Sequence, residues 1–238
     1  MGDKGRNRDG KGRSGGASPN QGNTVPESTR ERILGAATRV FSRHPYRAAS
    51  TRMIAAEAGV DHPLIHYYFG SKEKLFEEVT SRVYRDAIEA APHWLEGTAE
   101  MSPEKGLSTF IDRFLDYYMD NPGAQQIIFV NMAQAGGMAG TPGYRYIMMH
   151  LEETRRLIQE RMPIRGDQPE LEMFVYCFHL LADCLLGAGD TNAQILGMDP
   201  ENNEYRGWVK GALMFLFLPQ LKGLIFENSR VEDYGPKR

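Results

Sequence analysis

The chain has 238 residues, 41% of them hydrophobic, enough to bury a sizeable core as one large or two small domains. Its net charge of −3 hides an asymmetry: residues 1–77 carry 13 Lys and Arg against 8 Asp and Glu, and the remainder carries 15 against 23. A positive end before an acidic body suits a protein that meets phosphate at one end, and the lack of an apolar run of ~18 residues or of an apolar leader argues against a membrane span or secretion.

Residues 1–26, MGDKGRNRDGKGRSGGASPNQGNTVP, are mostly Gly, Ser, Asn and basic residues with few side chains worth burying. They read as a disordered arm, either passive or tracking DNA. A first helix follows, with Ile33, Ala36, Ala37, Val40 and Phe41 at helical spacing. The stretch 50–75, STRMIAAEAGVDHPLIHYYFGSKEKL, then reads as helix, turn, helix and the start of another helix. Ser50 is a good N-cap, and Ile54, Ala55 and Ala58 form one small apolar stripe. Gly59 offers the positive φ of a sharp helix exit. Asp61 is expected to cap a second short helix with Pro63 in its first turn. Short helix, Gly turn, short helix is the arrangement that lays its second helix in a DNA major groove.

These residues carry a resemblance. Ile54-Ala55, Ala58-Gly59-Val60, Ile65-His66-Tyr67-Tyr68-Phe69 and Ser71-Lys72-Glu73-Lys74-Leu75, with Arg32 to Ala37 and Val40-Phe41 upstream, resemble the DNA-binding domain of the TetR/AcrR (tetracycline-repressor) family over residues 29–79. Asp61, Pro63, His66 and His44-Pro45-Tyr46 depart from its commonest residues. The periodic apolar positions, Val60, Ile65 and Phe69 among them, are expected to be core. The candidates for DNA contact are Ser50, Thr51 and Arg52 on the first helix of the motif, and His62, Leu64, His66, Tyr67 and Tyr68 on the second. Ser71 caps the next helix, where Lys72 is placed to add its charge to a phosphate.

Beyond Ser71 the chain reads as helical over about 71–95, 103–120, 123–135, 143–162, 169–188 and 201–226, with breaks marked by Pro92, Asn121-Pro122-Gly123 and the Gly- and Pro-rich stretches between. The expectation is an all-α chain: a disordered arm over 1–26, a three-helix helix-turn-helix DNA-binding domain over 27–77, a helical regulatory and dimerisation domain over 78–228, and a tail over 229–238. Two helices are apolar nearly all round, 174–182 and 208–218, and a helix apolar on every side is buried on every side. The resemblance implies that such helices pair with their twins in a homodimer reading a near-palindromic operator; the other reading is the core of a monomer. Phe174, Phe178, Leu181, Leu213 and Phe217 are the candidate interface. On the helices that surround the family's ligand cavity, Phe114, Tyr118, Phe129, Met132, Met148, Tyr176 and His179 are candidate pocket residues. Asp183, a carboxylate in a very apolar helix, joins them.

Enzymatic readings find little. The stretch 135–140 lacks the Lys-Ser/Thr of a P-loop, and Gly12-Arg13-Ser14-Gly15-Gly16 lies in the arm with no strand before it. His62 and His66, spaced i, i+4, lack a third metal ligand, so no metal and no cofactor is expected. Cys177 and Cys184, seven residues apart on one helix, are about 10.5 Å apart along it, too far to pair within the chain; both are expected to be reduced and buried. The resulting expectation is a cytoplasmic, homodimeric DNA-binding repressor, not an enzyme, released from its operator by a small lipophilic molecule. A constitutive regulator or activator without an effector and a thiol redox sensor are the alternatives.

Overall fold

The computed structural model describes residues 28–132, 140–164, 168–199 and 203–226. The basic arm, the C-terminal tail and most of the 135–140 stretch therefore lie outside the described residues. Among those described there is no strand; the elements are ten α-helices and one 3-10 turn at Thr98–Glu100. The helices are α1 (Thr29–Arg43), α2 (Thr51–Ala58), α3 (Pro63–Phe69), α4 (Lys72–Leu95), α5 (Pro103–Asp120), α6 (Gly123–Met132), α7 (Tyr144–Arg161), α8 (Gln168–Gly187), α9 (Gly189–Ile195) and α10 (Asn203–Phe226).

Serine hydroxyls start four of them. Ser28, Ser50, Ser71 and Ser102 accept from the backbone N–H three residues on, satisfying one otherwise orphaned donor each. Gly59 ends α2 at φ 62°, a left-handed conformation that costs any residue with a Cβ. The expected Asp61 cap is not formed. His62 is already helical in its dihedrals, so Asp61 supplies only its backbone carbonyl, to Leu64 N–H at 2.9 Å.

Two cores result. Ile33, Phe41, Ile54, Ile65, Leu75 and Phe76 are fully buried in the first, which closes α1–α3 onto the start of α4. Trp94, Ile111, Phe114, Phe178, Val209 and Leu213 centre the second, among α4, α5, α8 and α10. α4 runs unbroken between them, through Pro92 to Leu95, because Trp94 and Leu95 are both buried after the proline. Pro92 is therefore no break. α9 falls where only a break was expected.

Three sequence expectations about α8 and α10 need correction. Phe178, Leu213 and Phe217 are buried within one chain: the Phe178 and Phe217 rings meet edge-on 5.1 Å apart, with Phe174 half-buried and edge-on 5.4 Å from Phe217. Leu181 is likewise half-buried against this core. Three of the five candidate interface residues, Phe178, Leu213 and Phe217, therefore belong to the chain's own core, Phe178 against Phe110 and Phe114 of α5. The outward stripe of α10 holds Trp208, Phe215, Leu216 and Phe226 instead, all exposed. Secondly, α10 is long and apolar enough to cross a membrane, since the helix runs through the Gly and Pro residues that interrupt its apolar string. Here its inner face packs on the second core, and Arg206 and Lys210 pair with Asp112 of α5. Nor are both thiols buried: Cys177 is exposed and Cys184 half-buried, both free.

Candidate nucleic-acid interface and internal cavity

The α2–turn–α3 corner is held by side chains that sequence reading assigned to DNA. Thr51 Oγ1 and His62 Nε2 lie 2.9 Å apart, tying the start of α3 to the start of α2. The Ser50 hydroxyl is occupied by its cap with Met53 N–H at 3.2 Å. Leu64 does not project; it is half-buried against the first core. Lys72 is also turned to another task. Its ammonium donates to the carbonyls of Tyr46 at 2.9 Å and Ala49 at 3.0 Å, and sits 4.4 Å above the Tyr46 ring. Burial lowers its pKa. The Tyr46 and Ala49 carbonyls capture the charge that was expected at a phosphate.

What remains outside is compact. Arg52 is exposed at the first turn of α2. On α3, His66 and Tyr67 point away from the core, Tyr67 with 79% of its surface free, and Tyr68 packs edge-on to it at 5.0 Å. His66 Nδ1 lies 3.1 Å from the Gly70 carbonyl, which can only accept, so Nδ1 carries the proton. In a neutral ring Nε2 is then an acceptor facing outward, matched to the amino group of an adenine or cytosine rather than to guanine O6 or N7. Among the described residues no group of three or more His, Cys, Asp or Glu is placed to hold a metal.

The second site is a cavity of about 350 Å³ walled by α4, α5, α6, α7 and α8. Six of the eight expected pocket residues line it: Tyr118, Met132, Met148, Tyr176, His179 and Asp183. Met148 and Tyr176 are exposed and mark its mouth. Phe114 does not reach it, being buried in the second core behind Tyr118, and Phe129 is turned toward Gly187 of α8. Sequence reading missed Tyr84, Gln125 and His150. The signal that singled out Asp183, a polar side chain in an apolar stretch, also applied to Gln125, within 123–132.

The cavity's polar groups are desolvated. Burial pushes the Asp183 carboxyl up to about 8. Its surface is only partly covered because it opens on the cavity rather than on bulk water. Burial, with the neighbouring His179 second, lowers His150 to about 3. The two imidazoles lie 5.1 Å apart, and both are neutral near pH 7. His179 donates Nδ1–H to the Val175 carbonyl at 2.9 Å, so Nε2 is left as a bare acceptor.

α6 joins the two sites, and nothing in the sequence marked it for that. Gln125, Ile128 and Met132 line the cavity, while Ile127 on the same helix is buried in the first core. Asn131 Oδ1 accepts from Tyr46 N–H at 2.9 Å, in the loop that Lys72 also holds. α8 approaches α6 closely at Gly187, where a Cβ would sit 2.5 Å from Phe129 Cβ and 2.8 Å from the Gln125 carbonyl oxygen.

Residues 33–79 match the family described as "Bacterial regulatory proteins, tetR family". The chain is 34% identical over 104 residues to the HTH-type transcriptional repressor SCO4008 of Streptomyces coelicolor, covering 44% of this chain and 50% of that protein. It spans about half the length of the first curated relatives it matches. A putative tetR family regulator from Shewanella sp. PV-4 shares the fold at TM-score 0.58 and 19% identity, over 81% of this chain and 97% of that one. So does the regulator FadR of Bacillus subtilis, in complex with stearoyl-CoA, at TM-score 0.56 and 15% identity, over 83% and 98%. The proteins it matches are transcriptional regulators rather than enzymes.

Proposed function

Since the chain is, by its N-terminal domain, a member of the tetR family of bacterial regulatory proteins, we propose that it is a homodimeric transcriptional repressor whose operator affinity is lowered by a small molecule bound in the α4–α8 cavity. The observation that carries this reading is the double placement of α6. A molecule pressing on Gln125, Ile128 and Met132 moves a helix whose Ile127 and Asn131 are built into the DNA-binding domain. α4 offers a second route, with Tyr84 in the cavity wall and Leu75, Phe76 and Val79 in the first core. In a dimer the two α3 helices must sit about 34 Å apart to enter successive major grooves. A ligand that favours another spacing shifts the equilibrium by its differential affinity for the two states, and by no more.

DNA contact falls to Arg52, His66, Tyr67 and Tyr68, with Thr51, His62 and Lys72 setting the angle of α3. Dimerisation falls to the exposed stripes of α8 and α10, whose inner faces are spent on the second core. The test is sequential. An operator is selected from random duplexes by the purified protein, compounds are screened by thermal shift, and each stabilising compound is added to the protein–operator complex. Release by a stabilising compound is expected. Operator affinity unchanged by every compound that stabilises the free protein would leave a constitutive DNA binder.

A further inference from the structure

Resting on the reading of the α4–α8 cavity as the effector site, we propose that the molecule it takes is an organic cation, a protonated amine carried on an apolar body. The inner wall has a surplus of acceptors. Asp183 presents a carboxyl group, and among the described residues no Lys or Arg lines the cavity to neutralise it. His179 Nε2, His150 Nδ1 and Gln125 Oε1 are buried and have no hydrogen-bond partner. The tautomer of His179 makes its Nε2 an acceptor, and Gln125 Oε1 can be nothing else. A buried acceptor left without a donor is costly, so His179 Nε2 and Gln125 Oε1 beside an unpaired acid mark a place for several donors at once. An ammonium group has up to three donors and one positive charge. A carboxylate or phosphate would bring only further acceptors, and a charge that Asp183 repels once it ionises.

The rest of the wall agrees. Tyr84, Tyr118, Tyr144 and Tyr176 surround the space, and ring faces attract a cation. Ile128, Ile147 and Leu151 offer the apolar side. The volume is at the small end of the ~300–1,000 Å³ of drug-sized sites. Asp183 meets titratable groups from every packed helix: Tyr84 of α4, Tyr118 of α5, His150 of α7, and His179 and Cys184 on α8. None of these is cationic near pH 7, so ammonium binding must itself ionise Asp183 and release its proton below about pH 8.

Calorimetry of the full chain with three probes that differ only in head group decides the matter: 4-phenylbutylamine, 4-phenylbutanol and 4-phenylbutanoate. The amine should bind at least about tenfold tighter than the alcohol, with the carboxylate weakest, and its affinity should rise from pH 6.5 to 8. Asp183→Asn should erase the amine's advantage over the alcohol. Equal or tighter binding of the alcohol or the carboxylate, an advantage that survives Asp183→Asn, or no binding by any of the three would overturn the assignment. Release of operator DNA is scored separately. A chain that prefers the amine yet keeps its DNA retains this inference and loses the regulatory one.

Discussion

Lys72 shows how a side chain of the expected type can be diverted by its nearest neighbours. Its ammonium bridges the Tyr46 and Ala49 carbonyls, so Lys72→Ala leaves two carbonyls short of a donor and frees the loop before α2. A loss of about 1–3 kcal/mol is expected, read as a lower Tm in free protein, with the salt dependence of DNA binding nearly unchanged. A Tm like wild type with a salt slope shallower by one phosphate would restore the direct role. Asp183 makes the opposite case, a group whose burial weakens the fold. Its carboxyl titrates near 8 when folded and near 3.8 when not. Between those values the folded chain holds a proton that the unfolded chain has released, so this group lowers stability as pH rises through that window. Asp183→Asn removes the effect. The Tm gap, variant above wild type, should therefore widen from pH 5 to pH 8.5, by several degrees on the scale of ~2–4 °C per kcal/mol. His150, neutral in both chains, cancels from the comparison. A gap constant across that range would show that Asp183 is not desolvated.

α6 is ten residues long, yet it carries the connection between the cavity and the DNA-binding domain. Its seat on α8 depends on the bare backbone at Gly187. Gly187→Ala must push Phe129 and the Gln125 carbonyl aside, an overpacking that costs typically 1–3 kcal/mol. Because the strain falls between α6 and α8, the variant should change effector response more than operator affinity in the absence of ligand, as judged by titrating both in one anisotropy assay. Equal loss of both would mean that the substitution only unfolds the chain. The short elements of the N-terminal domain were legible because their signals are local: Ser50 and Ser71 as caps, Gly59 as a turn, apolar residues at helical spacing. The role of α6 was not, since Ile127 and Gln125 look alike as members of an apolar helix, and only the placement of α1 and α8 on opposite sides separates their jobs. Tyr84 and His150 escaped for the same reason. Asp61 failed as a cap because His62 had already entered the helix.

Among the described residues, α8 and α10 leave apolar side chains that the fold does not cover. Periodicity could show that α8 and α10 are apolar on more than one side, and it could not show which side α5 would take. Leu213 and Phe217 went to the interior, and Trp208, Phe215, Leu216 and Phe226 were left outside, Phe215 with 80% of its surface free. On α8 the outward positions include Met173 and Cys177. An apolar stripe on two long neighbouring helices is what an isologous four-helix interface requires, and two copies of α3 reach successive grooves only if such a face joins them. The two kinds of position respond differently to charge. Leu213→Glu puts a carboxylate into the second core and should prevent folding. Phe215→Glu touches no core residue of its own chain, so the variant should keep its helical circular dichroism and sediment as a monomer at low micromolar concentration. It should also lose most of its affinity for a two-half-site operator and keep the weak affinity of wild type for a single half-site. Sedimentation of a folded Phe215→Glu chain as a dimer would place the interface on another face. A monomer that still binds both half-sites as tightly as wild type would separate DNA reading from dimerisation altogether.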